Sequence, residues 1–245
     1  LETERFSMIQ KVISLIISVS FLYAGGYALI DNIARSFTSN FILQSLVFFA
    51  IIGLASMLIG LPFEWYETFV IEEKYGFNKM TKTLFITDKL KALLLMTILG
   101  GALLAAVSFF YYQLGDKFWW MAWLLVSMFM IFFAMFYTSF LLPIFNQLTP
   151  LENGSLRQKI EEYAQKVKFP LTNILLMDGS KRSTKANAFF SGFGKKKSIV
   201  LFDTLIKDLT ETEITAVLAH EVGHYKKKHI LQGMIISLLQ TGLLL

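Results

Sequence analysis

The chain has 245 residues, of which 55% are apolar and 24 are phenylalanine, and its mean hydropathy is +0.55. A single soluble core of this length does not bury so much apolar surface, so a water-soluble globular protein is excluded and the excess must face lipid. Cysteine is absent, which excludes a disulfide framework and leaves histidine and carboxylate as metal ligands, while the net charge of +5 is less informative than the positions of the basic residues.

Four apolar segments without charges precede residue 146. At about 1.5 Å per residue, each is long enough as a helix to cross about 30 Å of hydrocarbon. They are Val12 to Ile30, Phe41 to Phe63, Ala92 to Leu114 and Phe118 to Phe145. A fifth run, Ile230 to Leu245, is apolar to its last residue and predicts the start of another membrane helix in a fragment of a longer chain. We therefore predict a four-span membrane domain over residues 1–145, a polar segment over 146–229 and a further membrane helix from 230.

Basic residues are divided unequally between the two sides of such a domain. If the spans alternate, the short loops on one side hold only Arg35 and Lys117. The other side holds seven basic residues, Arg5, Lys11, Lys74, Lys79, Lys82, Lys89 and Lys91. The positive-inside rule makes the richer side cytoplasmic, and the segment after the fourth span lies on that side. This predicts a multi-pass protein of the endoplasmic reticulum membrane in a eukaryote, or of the inner membrane in a bacterium.

Two lysine triplets, Lys195–Lys197 and Lys226–Lys228, raise the possibility of nucleic-acid binding. Neither is accompanied by a recognition fold or by interleaved aromatic residues. Lysines that extend to a membrane surface explain them more simply. We predict the lipid bilayer as a partner and no nucleic acid.

The polar segment has the composition of a small α+β domain. Ser155 and Gln158 resemble a capping box that starts a helix ending before Phe169-Pro170. Short strands are predicted at Ile174 to Met177, Asn187 to Ser191 and Ser198 to Phe202, the last two joined by a turn over Gly192 to Lys197. Thr210 and Glu213 form a second capping-box signature, at the start of a helix that carries His220 and His224. The predicted fold class is an α-helical polytopic membrane protein with a small cytoplasmic zincin-like α+β insertion, made of a helix, a short β-hairpin and an HExxH helix.

The HExxH pentapeptide is His220-Glu221-Val222-Gly223-His224. Residues four apart lie on one face of a helix about one turn from each other, so His220 and His224 can share one Zn²⁺ ion. Glu221 points about 100° away and can act as the base toward water without binding the metal. This pattern predicts a metallopeptidase that hydrolyses amides, with Glu221 catalytic and one zinc ion as cofactor. Two histidines on a solvated helix remain the alternative.

The third zinc ligand is not evident in this sequence. On a continuous helix, His229 projects about 140° from His224 and about 180° from His220, so it is expected to point away from the site. The metzincin pattern is excluded, because it needs glycine where Lys227 stands and histidine where Ile230 stands. A zinc site of two histidines and one carboxylate then predicts that the third ligand comes from sequence after residue 245, with Glu64 or Glu67 as the less favoured alternatives.

The predicted strand Asn187 to Ser191 is a candidate substrate platform. An extended peptide can add to an exposed strand edge and present its carbonyl to the metal, which makes Asn187, Ala188 and Phe189 candidate substrate-binding residues. The alternative is an ordinary hairpin that packs on the HExxH helix.

Five motifs in order resemble one known family, the type I CAAX prenyl proteases. They begin at Phe69 (FVIEEKYGFNK), Asp178 (DGSKRS), Asn187 (NAFF), Ile199 (IVLFDT) and His220 (HEVGHYK). This family comprises integral-membrane zinc metallopeptidases that include the a-factor-converting and prelamin-processing enzymes. The similarity extends from about Phe41 to the end of the chain.

The resemblance implies a seven-helix membrane chamber with zinc inside, open to the cytosol, and removal of the last three residues after a prenylated cysteine. It implies that His220 and His224 bind zinc, that Glu221 is the base, and that Asn187 and Ala188 hold substrate backbone. It also implies a fragment without the family's first membrane helix and without the last helices, which carry the glutamate ligand. The expected partners are a peptide or protein substrate, with a prenyl group in the eukaryotic case, and the bilayer.

Two alternatives stay open at this point. One is an HtpX-like membrane quality-control protease, although such proteins have fewer spans before HExxH. The other is a non-catalytic transporter or pseudoenzyme whose polar residues line a pathway. A site-2-type intramembrane protease is disfavoured, because Glu211, Glu213 and Lys226 flank the motif with charge.

Overall fold

The computed structural model describes residues 2–191 and 197–244. Most of the predicted turn over Gly192 to Lys197, and with it Lys195 and Lys196, lies outside the described residues. The chain divides into two compact units, one of residues 1–78 with 92–122 and the other of residues 79–91 with 123–245.

Helices make up most of the fold. In chain order they are α1 (Glu2–Tyr23), α2 (Gly26–Phe37), α3 (Phe41–Tyr66), α4 (Lys82–Leu95), α5 (Gly101–Leu114), α6 (Phe118–Phe136), α7 (Leu142–Phe145), α8 (Ser155–Lys166), α9 (Asp203–Asp208), α10 (Glu211–Lys226) and α11 (His229–Leu244). Wider π-helical turns extend or join several of them, at Glu67–Glu72, Met96–Gly100 and Tyr137–Leu141.

Within the described ranges, three continuous helical stretches are long and apolar enough to cross a membrane: Glu2–Tyr23, Phe41–Glu72 and Lys82–Phe145. The third changes direction at Gly115, whose φ is 54°, and the short 3-10 turn Gly115–Lys117 separates α5 from α6. It therefore contains two of the apolar segments predicted from the sequence. The chain is a polytopic membrane protein with an α+β domain.

The prediction of one helix over Val12 to Ile30 is wrong. The chain turns at Gly25, whose φ of 73° lies in the left-handed region that favours glycine. At Gly26 a Cβ atom would lie 2.3 Å from the ring of Phe21, so α2 can approach α1 this closely only with glycine there. The ring of Phe21 then meets Tyr27 edge to face at 5.1 Å. Hydropathy alone does not detect such a turn, because both flanking segments are apolar.

The second unit contains a four-stranded sheet. Its strands are β1 (Leu148–Pro150), β2 (Leu171–Met177), β3 (Ala188–Ser191) and β4 (Lys197–Phe202), in the order β1-β2-β4-β3. β2 and β4 are parallel, and the other pairs are antiparallel. The predicted hairpin of β3 and β4 is confirmed, as is the strand at β2. The sequence did not predict β1, which has only three residues and contains Pro150.

Central strand β4 is buried on both faces. Ile199 and Leu201 face a core formed with α8 and α10, and Val200 between them faces a smaller cluster that includes Leu142 of α7. All three are at most 2% exposed. This alternation follows from the period of two residues along a strand. The sheet is thereby held between helices on each side.

Helix α8 is confirmed, but the capping box predicted at its start is wrong. The N-cap is Gly154, and no side chain caps the helix. The hydroxyl of Ser155 donates instead to the carboxylate of Glu211 at the start of α10, and Lys159 reaches the same carboxylate at 2.6 Å. These two bonds lower the pKa of Glu211 below its usual range, the Lys159 bond contributing most. Ser155 therefore joins α8 to the HExxH helix.

Candidate metal centre

The HExxH motif lies on α10, whose start and buried face are both set by local sequence. Thr210 is the N-cap, and it forms the predicted capping box with Glu213. Ile214, Leu218 and Val222 follow at intervals of four residues and are 4% exposed or less. This buried stripe anchors α10 to the sheet. The HExxH helix is confirmed, and His220 and His224 lie on its exposed side.

The rings of His220 and His224 face each other. Their Nε2 atoms are 3.2 Å apart, and their ring centroids are 4.9 Å apart at an angle of 70°. Two nitrogens bound to one tetrahedral zinc at about 2.0–2.1 Å are about 3.3 Å apart. The two Nε2 atoms therefore already have the separation that a shared zinc ion requires.

Glu221 sits between the exposed pair and the buried stripe. It follows His220 directly and is half-buried, whereas His220 is exposed and Val222 is in the core. A carboxylate in this place projects about 100° from His220, so it is not a third ligand on the face of the two histidines. This is the position from which a base can act on water held beside the two histidines.

Across residues 2–191 and 197–244, no three or more histidine or carboxylate side chains form a group that could hold a metal. The described donor set is thus the histidine pair. It fits zinc in ligand type, since imidazole suits this ion, and in the spacing of its nitrogens. A glutamate beyond residue 245 as third ligand stays a prediction, and so do the alternatives Glu64 and Glu67.

The expectation that His229 points away from the site is wrong. It assumed a continuous helix, but α10 ends at Lys226 and α11 begins at His229. Lys228 between them has a φ of 56°, in the left-handed region. This turn brings Nδ1 of His229 to 2.8 Å from Nδ1 of His224. No residue type in the sequence signals the turn, because lysine rarely adopts this conformation.

Strand β3 lies at the edge of the sheet, next to α10. The N–H of Phe202 donates to the carbonyl of Asn187 at 3.0 Å, which makes these two a hydrogen-bonded pair across the strands. By the alternation of an antiparallel ladder, the backbone groups of Ala188 and Phe190 are directed away from β4. The N–H of Ala188 donates to the side-chain oxygen of Asn187 at 2.9 Å.

The structure therefore places Ala188 and Phe189 on an edge strand beside the HExxH helix, with Asn187 directly before its first residue. Asn187 is exposed, Ala188 is buried and Phe189 is half-buried. Phe189 faces the smaller cluster with Leu142, whereas Ala188 belongs to the main core. The geometry is that of an edge to which a peptide can add, with side-chain access mainly at Asn187.

A buried lysine contacts the last turn of α10. Lys197, at the start of β4, is 7% exposed, and its ammonium lies 5.1 Å from the ring centre of Tyr225. Burial lowers the pKa of Lys197. Tyr225 follows His224 and packs edge to face against Phe169 at 4.9 Å. The sequence suggested only a membrane-surface role for this lysine, because a triplet gives no sign that one member is buried.

Two family models match the chain. The model described as CAAX prenyl protease N-terminal, five membrane helices, matches residues 1–147, and that of peptidase family M48 matches residues 150–245. The sequence predicted four membrane helices over residues 1–145. That prediction treated Val12 to Ile30 as one helix, whereas the structure has two helices in this part of the chain, α1 and α2.

Relatives of known name agree with these models. CAAX prenyl protease 1 of Saccharomyces cerevisiae is 43% identical over 202 residues, covering 82% of this chain and 45% of the yeast protein. The CAAX prenyl protease 1 homolog of Mus musculus is 32% identical over 287 residues, covering 99% of this chain and 60% of the mouse protein.

A solved structure is similar over nearly the whole chain. The crystal structure of S. mikatae Ste24p matches with a TM-score of 0.91 and 38% sequence identity, over 99% of this chain and 58% of that one. The chain thus spans about half the length of the relatives it matches. On the two family models and these relatives, the chain belongs to the CAAX prenyl protease 1 family of M48 peptidases.

Proposed function

We propose that this protein is a zinc-dependent membrane endopeptidase that cleaves peptide bonds near the C-terminus of prenylated CAAX substrates. The observation that carries the proposal is the 3.2 Å separation of the Nε2 atoms of His220 and His224, with Glu221 beside them. The family and the names of the relatives support the choice of substrate. The proposal concerns the activity of the whole protein, and the histidine pair is one part of the proposed active site.

The residues of this chain have separate roles in that reaction. His220 and His224 would hold zinc through Nε2, and zinc, when bound, supplies a Lewis acid that polarises a carbonyl and makes water nucleophilic at neutral pH. Glu221 accepts the proton of the attacking water and passes it to the departing amine. Edge strand β3 orients the substrate by backbone hydrogen bonds, so that its carbonyl is presented to the histidine pair.

The reaction is tested on purified protein in detergent or lipid nanodiscs. The substrate is a farnesylated peptide ending in a CAAX sequence, the product is the released tripeptide measured by mass spectrometry, and zinc content is measured by elemental analysis. Glu221→Gln should abolish cleavage and keep zinc, whereas His220→Ala should lose both. Glu213→Gln is the matched control on the same helix, because a glutamine keeps the capping box, and it should cleave normally.

The result that would overturn the proposal is a wild-type protein that binds no zinc and releases no tripeptide, with Glu221→Gln behaving identically. That outcome would favour the non-catalytic transporter or pseudoenzyme. Equal cleavage of an unprenylated peptide would remove the lipid requirement but not the peptidase. Cleavage of misfolded membrane proteins, with no cleavage of either peptide, would favour the quality-control protease.

The proposal also places the metal site on the cytoplasmic side, in the endoplasmic reticulum membrane of a eukaryote or the inner membrane of a bacterium. The distribution of basic residues between the loops supports this orientation. Cysteine is absent from these 245 residues, so a single substitution gives this part of the protein one thiol whose sidedness can be measured. Glu152→Cys should react with an impermeant maleimide only from the cytoplasmic side, and Lys117→Cys only from the other. The reverse pattern would contradict the orientation.

A further inference from the structure

The third histidine of the chain contacts one of the two candidate zinc ligands. Nδ1 of His229 lies 2.8 Å from Nδ1 of His224, and the two rings meet at 74° with centroids 4.9 Å apart. We propose that His229 is a positioning residue, which holds His224 in the tautomer and ring orientation that bind zinc through Nε2. This inference rests on the proposed function, since it requires that the HExxH site binds metal.

Binding of zinc through Nε2 of His224 would fix where the protons of the two rings lie. A neutral imidazole has one N–H and one nitrogen lone pair. Nε2 of His224 faces Nε2 of His220, so the lone pair that binds metal must be on Nε2. Nδ1 of His224 then carries the proton and donates it to Nδ1 of His229, which accepts. His229 in turn carries its own proton on Nε2.

His229 cannot be a further ligand of the same ion. It contacts the nitrogen of His224 that lies on the other side of the ring from His220. His229 therefore lies on the side of the His224 ring that faces away from His220. Zinc-binding histidines usually donate their second N–H to a carboxylate, a backbone carbonyl or water, and such a partner fixes the tautomer and the ring plane. Here an imidazole takes this role.

The backbone holds His229 in this place. Lys227 closes α10 by donating to the carbonyl of Gly223 at 3.1 Å, and Lys228 donates to Tyr225 at 2.9 Å. The left-handed conformation of Lys228, with a φ of 56°, is unfavourable for a residue with a side chain. The turn that keeps Lys228 in this conformation also brings His229 into contact with His224. The ring of His229 is thus positioned by the turn between α10 and α11, and not only by its own side-chain rotamer.

The experiment measures zinc affinity directly. The zinc dissociation constants of the purified wild-type protein and of His229→Ala and His229→Asn are determined by competition with a chromophoric chelator. His229→Ala should bind zinc about 10- to 100-fold more weakly, the usual effect of losing such a partner. His229→Asn should recover most of the affinity, because its side-chain oxygen lies where Nδ1 was and can accept the same hydrogen bond. Ile230→Ala, at the neighbouring exposed position, is the control and should bind as the wild type does.

A second measurement separates positioning from mere stability. With Co²⁺ in place of zinc, the visible absorption spectrum reports ligand geometry, and His229→Ala should alter it while His229→Asn should not. Unchanged zinc affinity in His229→Ala overturns the inference. So does equal weakening in both variants together with an equal fall in melting temperature, since that shows a structural role alone. A wild type that binds no zinc overturns the proposed function and this inference together, whereas a zinc-binding wild type with an unaltered His229→Ala overturns only this one.

Discussion

The guanidinium of Arg182 donates two hydrogen bonds to the carboxylate of Asp88, at 2.8 Å from Nε and 3.1 Å from Nη2. The same group donates to the carbonyl of Phe145 at 2.6 Å and to the side-chain oxygen of Asn146 at 2.8 Å. The side chains of Arg182 and Asp88 are only 20% and 16% exposed. Arg182 thus fastens the loop between β2 and β3 both to α4 and to the end of α7. That loop leads directly into the candidate substrate strand.

Replacing Arg182 with lysine should therefore destabilise the second unit. Lysine keeps the charge but lacks the planar fork, so it cannot satisfy the carboxylate and the two oxygens together. We expect the free energy of unfolding to fall by at least about 2 kcal/mol, because the partly buried oxygens of Asp88, Phe145 and Asn146 would lose their charged partner. Thermal unfolding in detergent measures the effect.

The control for Arg182→Lys is Arg35→Lys. Arg35 pairs with Asp31 at 2.7 Å, but the two side chains are 62% and 44% exposed. The loss of such an exposed pair on one helix should leave the melting temperature nearly unchanged. Similar small losses in both variants would show that the Arg182 contacts add little to stability.

Local signals explain why much of the fold was predictable. The capping box of Thr210 and Glu213 and the apolar spacing of Ile214, Leu218 and Val222 act within one helix, so the sequence predicts α10 and the common face of its histidines. The β3–β4 hairpin follows from short β-rich runs in the same way. Each of these features depends on residues fewer than about 15 positions apart, where propensity and spacing decide the structure.

The features that sequence reasoning missed depend on distant residues or on an unfavourable backbone conformation. Arg182 and Asp88 are 94 positions apart, so no local pattern connects them. The return of His229 to His224 depends on a left-handed lysine, which residue preference argues against. The break at Gly25 had a signal, the pair Gly25-Gly26, but the apolar residues on both sides of it concealed the turn.

Acidic pH should weaken the capping box of α10. The backbone N–H of Thr210 donates to Glu213 at 2.8 Å, as does its hydroxyl, and these two bonds hold the pKa of Glu213 below its ordinary value of 4.5. A carboxylate whose pKa is lowered on folding stabilises the fold above its ordinary value and loses that effect as the pH falls through the folded value. Glu213→Gln keeps an acceptor but does not titrate. The difference in melting temperature between wild type and Glu213→Gln should therefore shrink from about pH 6 to about pH 3.

Other carboxylates titrate in the same range, so the comparison with Glu213→Gln is what isolates this group. Asp208→Asn is a suitable second control, because Asp208 lies at the end of α9, outside the capping box. A difference between wild type and Glu213→Gln that stays constant over the range would contradict the assignment of the lowered pKa to the cap.

Glycine at position 168 should stabilise the protein. Helix α8 ends at Lys166, and Lys168 has a φ of 53°, while the N–H of Phe169 donates back to Ala164 at 2.8 Å. This is the helix ending that favours glycine at the left-handed position. Lys168→Gly should raise the free energy of unfolding by about 0.5–1 kcal/mol. The substitution relieves backbone strain in the folded state, and this gain exceeds the cost of the greater entropy that glycine gives the unfolded chain. Lys166→Gly, in the last turn of the same helix, should lower it by about 1 kcal/mol. Equal losses in both variants would be inconsistent with strain at Lys168.

Substrate affinity should depend on the side-chain amide of Asn187. Its oxygen is engaged by the N–H of Ala188 at 2.9 Å, which leaves the Nδ2 group to donate to a carbonyl of a peptide added at the edge of β3. Asn187→Asp keeps the oxygen and removes this donor. The loss of one hydrogen bond of about 0.5–1.5 kcal/mol should raise the KM for the farnesylated peptide about 2- to 10-fold, with kcat and zinc content nearly unchanged. Asn173→Asp, an exposed position on β2 away from the free edge, should have no effect on KM. If the two substitutions raise KM equally, or if Asn187→Asp loses zinc, then Asn187 does not bind the substrate backbone.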